Sequence, residues 1–579
     1  MKRLLIFLGL FSFLLTVTTS AEQLVSLGSY SVEKALEGIE KDFEIGKTSF
    51  DQKALYQIYA IFLKDELPDE YQITGPKDFV CGTPIILEVK RNWEKLSLQT
   101  QAKISLILAR PTRQYYYDTP EGHFKIHYNT SGEYPVYNPG EDINPADGIP
   151  DYINRVAEYM ERAWSFEIDS LGYDAPPSDG TLGGDLRYDV YIREPFGFTV
   201  PEDSSGQYPG RWCSYTSYVI IGNDLRIGRY PDDPLPFLKA TTAHEFFHSC
   251  QMAYNACGWT EDYTSWLFES GSNWIEEYVW DDLNDVYYYF NSLYPVPEKS
   301  LYYENGRHMY ASWVWGKFLE ERYNIGIIKE IWLQYINTYG VAACDSVLKR
   351  YGSDVNAEFK DYSVWNWVTN YRDDGNHFSE ASFFPDTVVN VAQHQTYPVS
   401  STISLKSPES LGANYIAFNN LPSGDYLLTF SGDTLYPYGI KLILDKGGKQ
   451  YDFQEVFVDS LSKGEAVIDS LEKYRRITMV VSHLFDLPEK FSFARYSYSL
   501  VWFGGGGISR GDVNYDLSLS LSDVIYLANY LLKNGPSPQP SIYTGDLNCD
   551  RKIELTDAIF LANYILSGGD PPCQPLKFF

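Results

Sequence analysis

Histidine is scarce in this chain, with 8 in 579 residues, so any pair at ligand spacing stands out. Basic residues are few as well: 47 Lys and Arg against 77 Asp and Glu leave a formal net charge of -30. That balance excludes an ordinary nucleic-acid reader, whose affinity comes from Lys and Arg against phosphate. It suits solubility, and it leaves carboxylates to spare for calcium. No apolar stretch approaches the ~20 residues that a membrane span needs. There is no Gly-rich phosphate loop and no Ser nucleophile elbow. A glycosidase would leave no local motif in any case, because its two carboxylates can lie far apart in the chain. Residues 22–115 contain no histidine at all.

The chain is too long for one ordinary core, and several domains are expected. Met1-Lys2-Arg3, an apolar run from Leu4 to Val17, and small residues up to Ala21 have the order of a secretory signal peptide. Cleavage after Ala21 and export are expected. The 7 cysteines, Cys81, Cys213, Cys250, Cys257, Cys344, Cys549 and Cys573, should then pair in part, and an odd count leaves at least one over. Tyrosine is abundant at 49, which suits ligand contact or, more commonly, burial in a large β-rich protein.

Residues 22–115 carry helical spacing in "VEKALEGIEKDFEIGK" and "DQKALYQIYAIFLKDEL" and are expected to form a propeptide or support segment. From His123 the pattern changes. "HFKIHY", "LRYDVYIRE" and "SYVIIGND" have the character of strands, with a helix begun by Pro150 between the first two. A helix from Phe237 to about Tyr254 follows, then helical, Trp- and Tyr-rich sequence to about residue 370. The expected fold class is multidomain α+β: a catalytic domain with a mixed sheet and helical lobe over 116–380, a β-sandwich over 381–503, a Gly-rich linker over 504–510 and an α module with two EF-type loops over 511–579.

The last module is a repeat. "GDVNYDLSLSLSDVIYLANYLL" and "GDLNCDRKIELTDAIFLANYIL" are offset by 34 residues. Oxygen-bearing side chains recur at loop positions 1, 3, 5, 9 and 12: Asp512, Asn514, Asp516, Ser520 and Asp523, then Asp546, Asn548, Asp550, Glu554 and Asp557. Ser518 and Lys552 at position 7 would offer backbone carbonyls. Calcium, a hard cation wanting six to eight oxygens, fits such loops, and two ions are expected. The pair resembles a type I dockerin, which implies a cohesin-type partner for residues 511–573. The loops depart from the EF-hand pattern in carrying Leu517 and Arg551 where Gly is usual. Cys549 and Cys573 flank the second helix and are expected to close it with a disulfide.

The scarce histidines matter most in "TTAHEFFHSCQ". His244 and His248 stand four apart, so on a helix they share a face and can reach one ion. Glu245 lies beside the first but off that face, where a general base belongs. Downstream, "WLFESGSNWIEEY" offers Glu269 as a third ligand, in preference to Glu276 and Glu277, and Asn273 to orient His244. This arrangement resembles the gluzincin metallopeptidases, of which thermolysin is the familiar type. The match runs through His244, Glu245, His248 and Glu269, with Asn273 where thermolysin-like enzymes carry Asp. "HFKIHY", "DGIPDYI", "HEFFH" and "ESGSNW" together are similar to a family of secreted bacterial metallopeptidases with dockerin-like tails. The resemblance implies one catalytic zinc and hydrolysis of peptide bonds. Tyr263, His308 and Tyr310 are candidate oxyanion donors, with Tyr310 preferred. "YTSYVIIGND" is a candidate edge strand for substrate pairing or, equally, a plain core strand. The alternative is a non-catalytic component stabilised by zinc and docked through the tail.

Two local features stay open. Asp142, Asn144, Asp147 and Asp151 in "DINPADGIPDY" suit helix capping or a calcium ion. Cys81 in "FVCGTP" suits a disulfide to Cys213 or Cys344, a buried free thiol, or a thiolate on the zinc; Cys250 pairing with Cys257 is compatible with any of these.

Overall fold

The computed structural model describes residues 29–75, 81–193, 196–227, 229–260, 263–304, 307–386, 388–486, 493–502, 510–516, 518–539, 542–548, 550 and 552–573. The expected signal peptide, the Gly504–Gly507 linker, Leu517, Arg551 and Cys549 lie outside the described residues. The chain forms two compact units, Met1–Thr260 with Ile275–Asp285, and Glu261–Trp274 with Val286–Phe579.

The first unit opens with β1 (Ser29–Tyr30), α1 (Val32–Glu44), α2 (Phe50–Phe62), β2 (Thr74–Gly75), α3 (Thr83–Arg91) and α4 (Leu98–Ile107). Serine caps start three of these helices: Ser31, Ser49 and Ser97 each accept a backbone N–H from the first turn. Ala35, Ile39, Ala60, Leu67 and Tyr71 form a small core between them.

A five-stranded sheet follows: β3 (Tyr115–Asp118), β4 (Phe124–Tyr128), β5 (Tyr188–Ile192), β6 (Phe198–Ser204) and β7 (Tyr215–Ile221), in the order β3-β4-β5-β7-β6. β4, β5 and β7 are parallel, and the two edges run antiparallel to their neighbours. α5 (Asp151–Trp164) supplies the crossover that parallel neighbours require. The sequence pattern misses β6. "FTVPEDS" holds a proline and two acids, which hide a strand but are tolerated at an edge, and the register shifts between Pro201 and Ser204. Of the two readings open for β7, edge strand or core strand, the core strand holds, because β6 pairs on its far side.

α6 (Leu235–Asn255) packs against β7 and α5 and is buried on every side from Phe237 onward except at Lys239. Cys213, just before β7, forms a disulfide with Cys257, just after α6, across 44 residues. This corrects both expected pairings: Cys81 and Cys250 are buried thiols outside any disulfide, as is Cys344. Chain entropy alone gives a loop of 44 residues about 4 kcal/mol. Replacing both Cys213 and Cys257 with Ala should lower unfolding free energy by about that amount in urea melts, and an unchanged midpoint would show the bridge to be dispensable.

α7 spans Ser265–Val279. In the second unit, α8 (Trp313–Arg322), α9 (Gly326–Tyr335), α10 (Gly340–Arg350) and α11 (Val355–Trp367) form the helical lobe. The aromatic richness is core: Trp266, Trp274, Trp313, Trp315, Trp332 and Trp367 are among the largest fully buried side chains. α11 packs on β12 (Tyr438–Gly447) and β15 (Arg476–His483) of a sandwich. One of its sheets also holds β8 (Asn390–His394), β10 (Gly412–Asn419) and β13 (Gln450–Val456). The other holds β9 (Val399–Ile403), β11 (Tyr426–Gly432), β14 (Lys463–Ile468) and β16 (Tyr496–Trp502). Ile416, Phe418, Leu442 and Met479 from one face meet Leu428, Phe430, Tyr498 and Leu500 from the other in one core.

The chain closes with α12 (Leu521–Lys533) and α13 (Leu555–Ser567), packed through Leu527, Ala558 and Leu561 together with Val513 and Leu547. No helix among the described residues is long and apolar enough to cross a membrane.

Candidate metal centre

The site grows from α6. Its helical spacing puts His244 and His248 on one face, with ring centroids 4.6 Å apart. Both are essentially fully buried. His244 Nδ1 donates to Glu276 Oε1 at 2.6 Å, and His248 Nδ1 donates to Gln251 Oε1 at 2.8 Å. Each acceptor fixes the tautomer that presents the Nε2 lone pair, which is how metal-binding imidazoles are held. Burial pushes the Glu276 carboxyl up to about 7, against the opposing pull of His244.

The ligand atoms of Cys81, His244, His248 and Glu269 all lie within 4.8 Å of one another, and all four residues are buried. Cys81 Sγ is 3.5 Å from His248 Nε2. Tetrahedral zinc with sulfur, nitrogen and oxygen donors would set ligand atoms roughly 3.3–3.8 Å apart. Two imidazoles, a carboxylate and a thiol gathered within 4.8 Å, with the thiol and one imidazole nitrogen at 3.5 Å, are donors that ion takes.

Glu245 is fully buried beside this group. The Thr199 hydroxyl lies 2.9 Å from Glu245 Oε2 and 2.6 Å from its carbonyl oxygen. Gly197, just before β6, makes the close approach possible: a Cβ there would meet Thr241 Cγ2 at 2.4 Å and Glu245 Cγ at 2.8 Å.

The structure moves one role. Asn273 does not orient His244; its Nδ2 donates to the Tyr310 carbonyl at 3.2 Å, and Glu276 takes the histidine. The physical reason is spacing. Glu276 stands seven residues, two helical turns, beyond Glu269 and so shares its face, a signal present in "ESGSNWIE". Gln251, three after His248, is equally legible. Glu276→Gln should therefore weaken zinc roughly 10–100-fold, contrary to the sequence expectation that Glu276 is dispensable, whereas Glu269→Ala should abolish stoichiometric binding. Competition with a chelating dye measures both, and equal affinities for Glu276→Gln and the natural chain would remove the orienting role.

The other candidates have plain roles. Tyr310 stacks on Tyr289, His308 bonds the Ser292 carbonyl, and Tyr263 packs on Tyr302. His123, His127, His377, His394 and His483 each have a partner: Glu161, Asp189, Asp374, Tyr498 and the Pro408 carbonyl. Asp142, Asp147 and Asp151 accept backbone N–H groups of their own loop. That arrangement caps the turn.

In the C-terminal module, oxygens of Asp512, Asp516 and Asp523 gather within 4.8 Å. Backbone N–H groups of Asn514, Asp516 and Ser520 point at the same carboxylates. The second loop repeats the pattern, with Asp557 accepting from Leu547 and Glu554, and Asp546 from Asp550. Ser520 with Asp523 and Glu554 with Asp557 also form capping boxes, so the ligand at position 12 starts each helix. Cys573 is disulfide-bonded, and its expected partner Cys549 lies outside the described residues.

Two family profiles match the chain. The profile described as "Family of unknown function (DUF6055)" matches residues 129–435, more than half of the chain. The chain belongs to this family. That match takes in α5, the α6 histidines and α7, and runs on through β11 of the sandwich. The type I dockerin domain matches residues 510–566. No curated protein matches. Among solved structures, the pre-peptidase C-terminal domain of collagenase from Bacillus anthracis is 11% identical, covers 19% of this chain and 96% of that chain, and has a TM-score of 0.15. A likeness at that score carries no weight for function.

Proposed function

We propose that this DUF6055 protein is an exported zinc-dependent endopeptidase held to a protein partner through its dockerin. The observation behind the first part is the α6 face: two buried imidazoles with Nε2 presented and Nδ1 anchored, and a buried carboxylate, Glu245, alongside. His244, His248 and Glu269 would hold zinc, which when bound would supply Lewis acidity toward the scissile carbonyl and toward water. Glu245 takes the proton of the attacking water and returns it to the leaving amine. Thr199 keeps its Oε2 in place. β6 is the sheet edge beside Glu245, suited to orienting a substrate backbone by strand addition.

The type I dockerin match supports a cohesin-type partner and calcium binding. Exposed apolar residues recur one repeat apart on its helices: Leu521 and Leu555, Ile525 and Ile559, Leu532 and Leu566. A matched stripe of this kind suits a protein interface. Dockerins typically work outside the cell, in keeping with the leader-like start of the sequence.

A second reading is favoured by Cys81. Structural zinc sites are closed by four protein ligands, and a non-catalytic zinc-stabilised component would look closed in this way. Zinc content and casein hydrolysis decide, measured on the natural chain and on Cys81→Ser. One zinc per chain with cleavage by either form supports the peptidase. Zinc without cleavage by both leaves the structural role.

A further inference from the structure

The N-terminal segment reaches the metal centre and the sheet edge together. Cys81 Sγ sits 3.5 Å from His248 Nε2. Two residues on, Thr83 Oγ1 accepts the backbone N–H of Thr199, at 3.0 Å, on the outer side of β6. Between them Gly82 lies flat on the same strand, where a Cβ would meet Phe198 Cδ1 at 2.5 Å. Farther along, Lys90 Nζ donates to the Glu202 carbonyl, again on β6, at 2.9 Å. The Phe62 ring packs on Phe198 with centroids 5.3 Å apart. A half-buried arginine anchors the exit from the segment: Arg110 pairs with Asp179, Asp189 and Glu202. One stretch of chain therefore takes the Thr199 N–H and the Glu202 C=O on the open side of β6, and places a sulfur beside the His248 Nε2.

We propose that residues 29–107 are a built-in inhibitor that keeps the peptidase latent, with Cys81 as the removable fourth ligand and residues 82–90 lying in the substrate's place on β6. This rests on the zinc peptidase reading. Thiolate is the form of cysteine that binds zinc, so closing releases the thiol proton to solvent. Opening reverses it: the metal–sulfur bond breaks, water takes the position, and the sulfur takes up a proton. A purely structural fourth ligand has no reason to arrive on a segment that also occupies the edge strand beside the general base. The other buried thiols cannot substitute, since Cys250 bonds Glu167 and Cys344 lies in α10.

The test uses the full chain loaded with cobalt in place of zinc, and does not depend on activity alone. The natural chain should show a thiolate-to-cobalt charge-transfer band in the near ultraviolet. Cys81→Ser should keep one cobalt and lose the band. Gly82→Val, which leaves the sulfur in the chain but wedges the loop off Phe198, should weaken it. With zinc, both variants should cleave casein about a hundredfold faster than the natural chain, the gain expected when a resting open fraction near 1% is released. A natural chain without the band overturns the inference, and the peptidase reading survives if that chain cleaves casein. A band with no cleavage by any of the three proteins overturns both. A band with equal cleavage by all three overturns latency alone. Gly82→Val carries the test if Cys81→Ser does not fold.

Discussion

Glu245→Gln, placed in the Cys81→Ser chain, is expected to keep one zinc and lose casein hydrolysis by about 10²–10⁴-fold, the usual worth of a positioned general base. The substitution is mild in shape. Glu245 is fully buried, with Oε2 against the Thr199 hydroxyl at 2.9 Å, and an amide oxygen can accept the same bond. What goes is the charge and the ability to take a proton. Glu245 follows His244 directly, so on α6 it is turned about 100° from the ligand face and is not needed to hold the ion. Zinc content and the folded spectrum should therefore stay as they are while hydrolysis falls, a separation that misfolding would not give. Thr199→Val should give a smaller loss in the same direction, since it removes the hydroxyl beside the carboxylate. Hydrolysis by Glu245→Gln within tenfold of its parent would take Glu245 out of the chemistry.

Much of this centre is legible in the chain before any fold is known, because helix periodicity is local. The four-residue step from His244 to His248, and the off-face place of Glu245, follow from the helix alone. The same rule reaches Glu276, but only if it is applied twice along α7, and the nearer Asn273 is the easier choice. Cys81 is different. It lies 167 residues from His248, and nothing in "FVCGTP" specifies which surface it meets. β6 is hidden for a local reason: Pro201, Glu202 and Asp203 break strand patterning at the one place in a sheet, an edge, where they are tolerated. The disulfide fails to show because Cys213, Cys250 and Cys257 are interchangeable in sequence, and only the return of α6 alongside β7 selects Cys213 for Cys257. Local period thus gives the candidate ligands on the helix, and long-range packing decides what covers them.

Calcium removal is expected to unfold the C-terminal module within the intact chain and leave the rest folded. Its shared apolar core is small: Val513, Leu527, Leu547, Ala558 and Leu561 are the buried members among the described residues. Against that core stand the carboxylates of Asp512, Asp516 and Asp523, with ligand oxygens within 4.8 Å of one another, and the matching Asp546, Asp550 and Asp557 of the second loop. Like charges so close repel strongly unless a cation sits among them. Each bound ion at a hundred times its dissociation constant adds about 2.7 kcal/mol, so two add about 5 kcal/mol, comparable with the whole stability of a small domain. The linkage runs one way: the folded loops hold the ion and the unfolded chain does not, so a chelator shifts the balance to the unfolded form. Hydrogen exchange on the full chain reads this directly. Amides of α12 and α13 should lose protection in a calcium chelator and regain it when calcium is restored, while β10, β12 and β15 of the sandwich stay protected throughout. Asp523→Ala and Asp557→Ala should each remove one ion of two, and each also breaks the capping box that starts its helix. Equal protection of α12 and α13 with and without chelator would show that the apolar core suffices and that the acidic loops are not what folds the module.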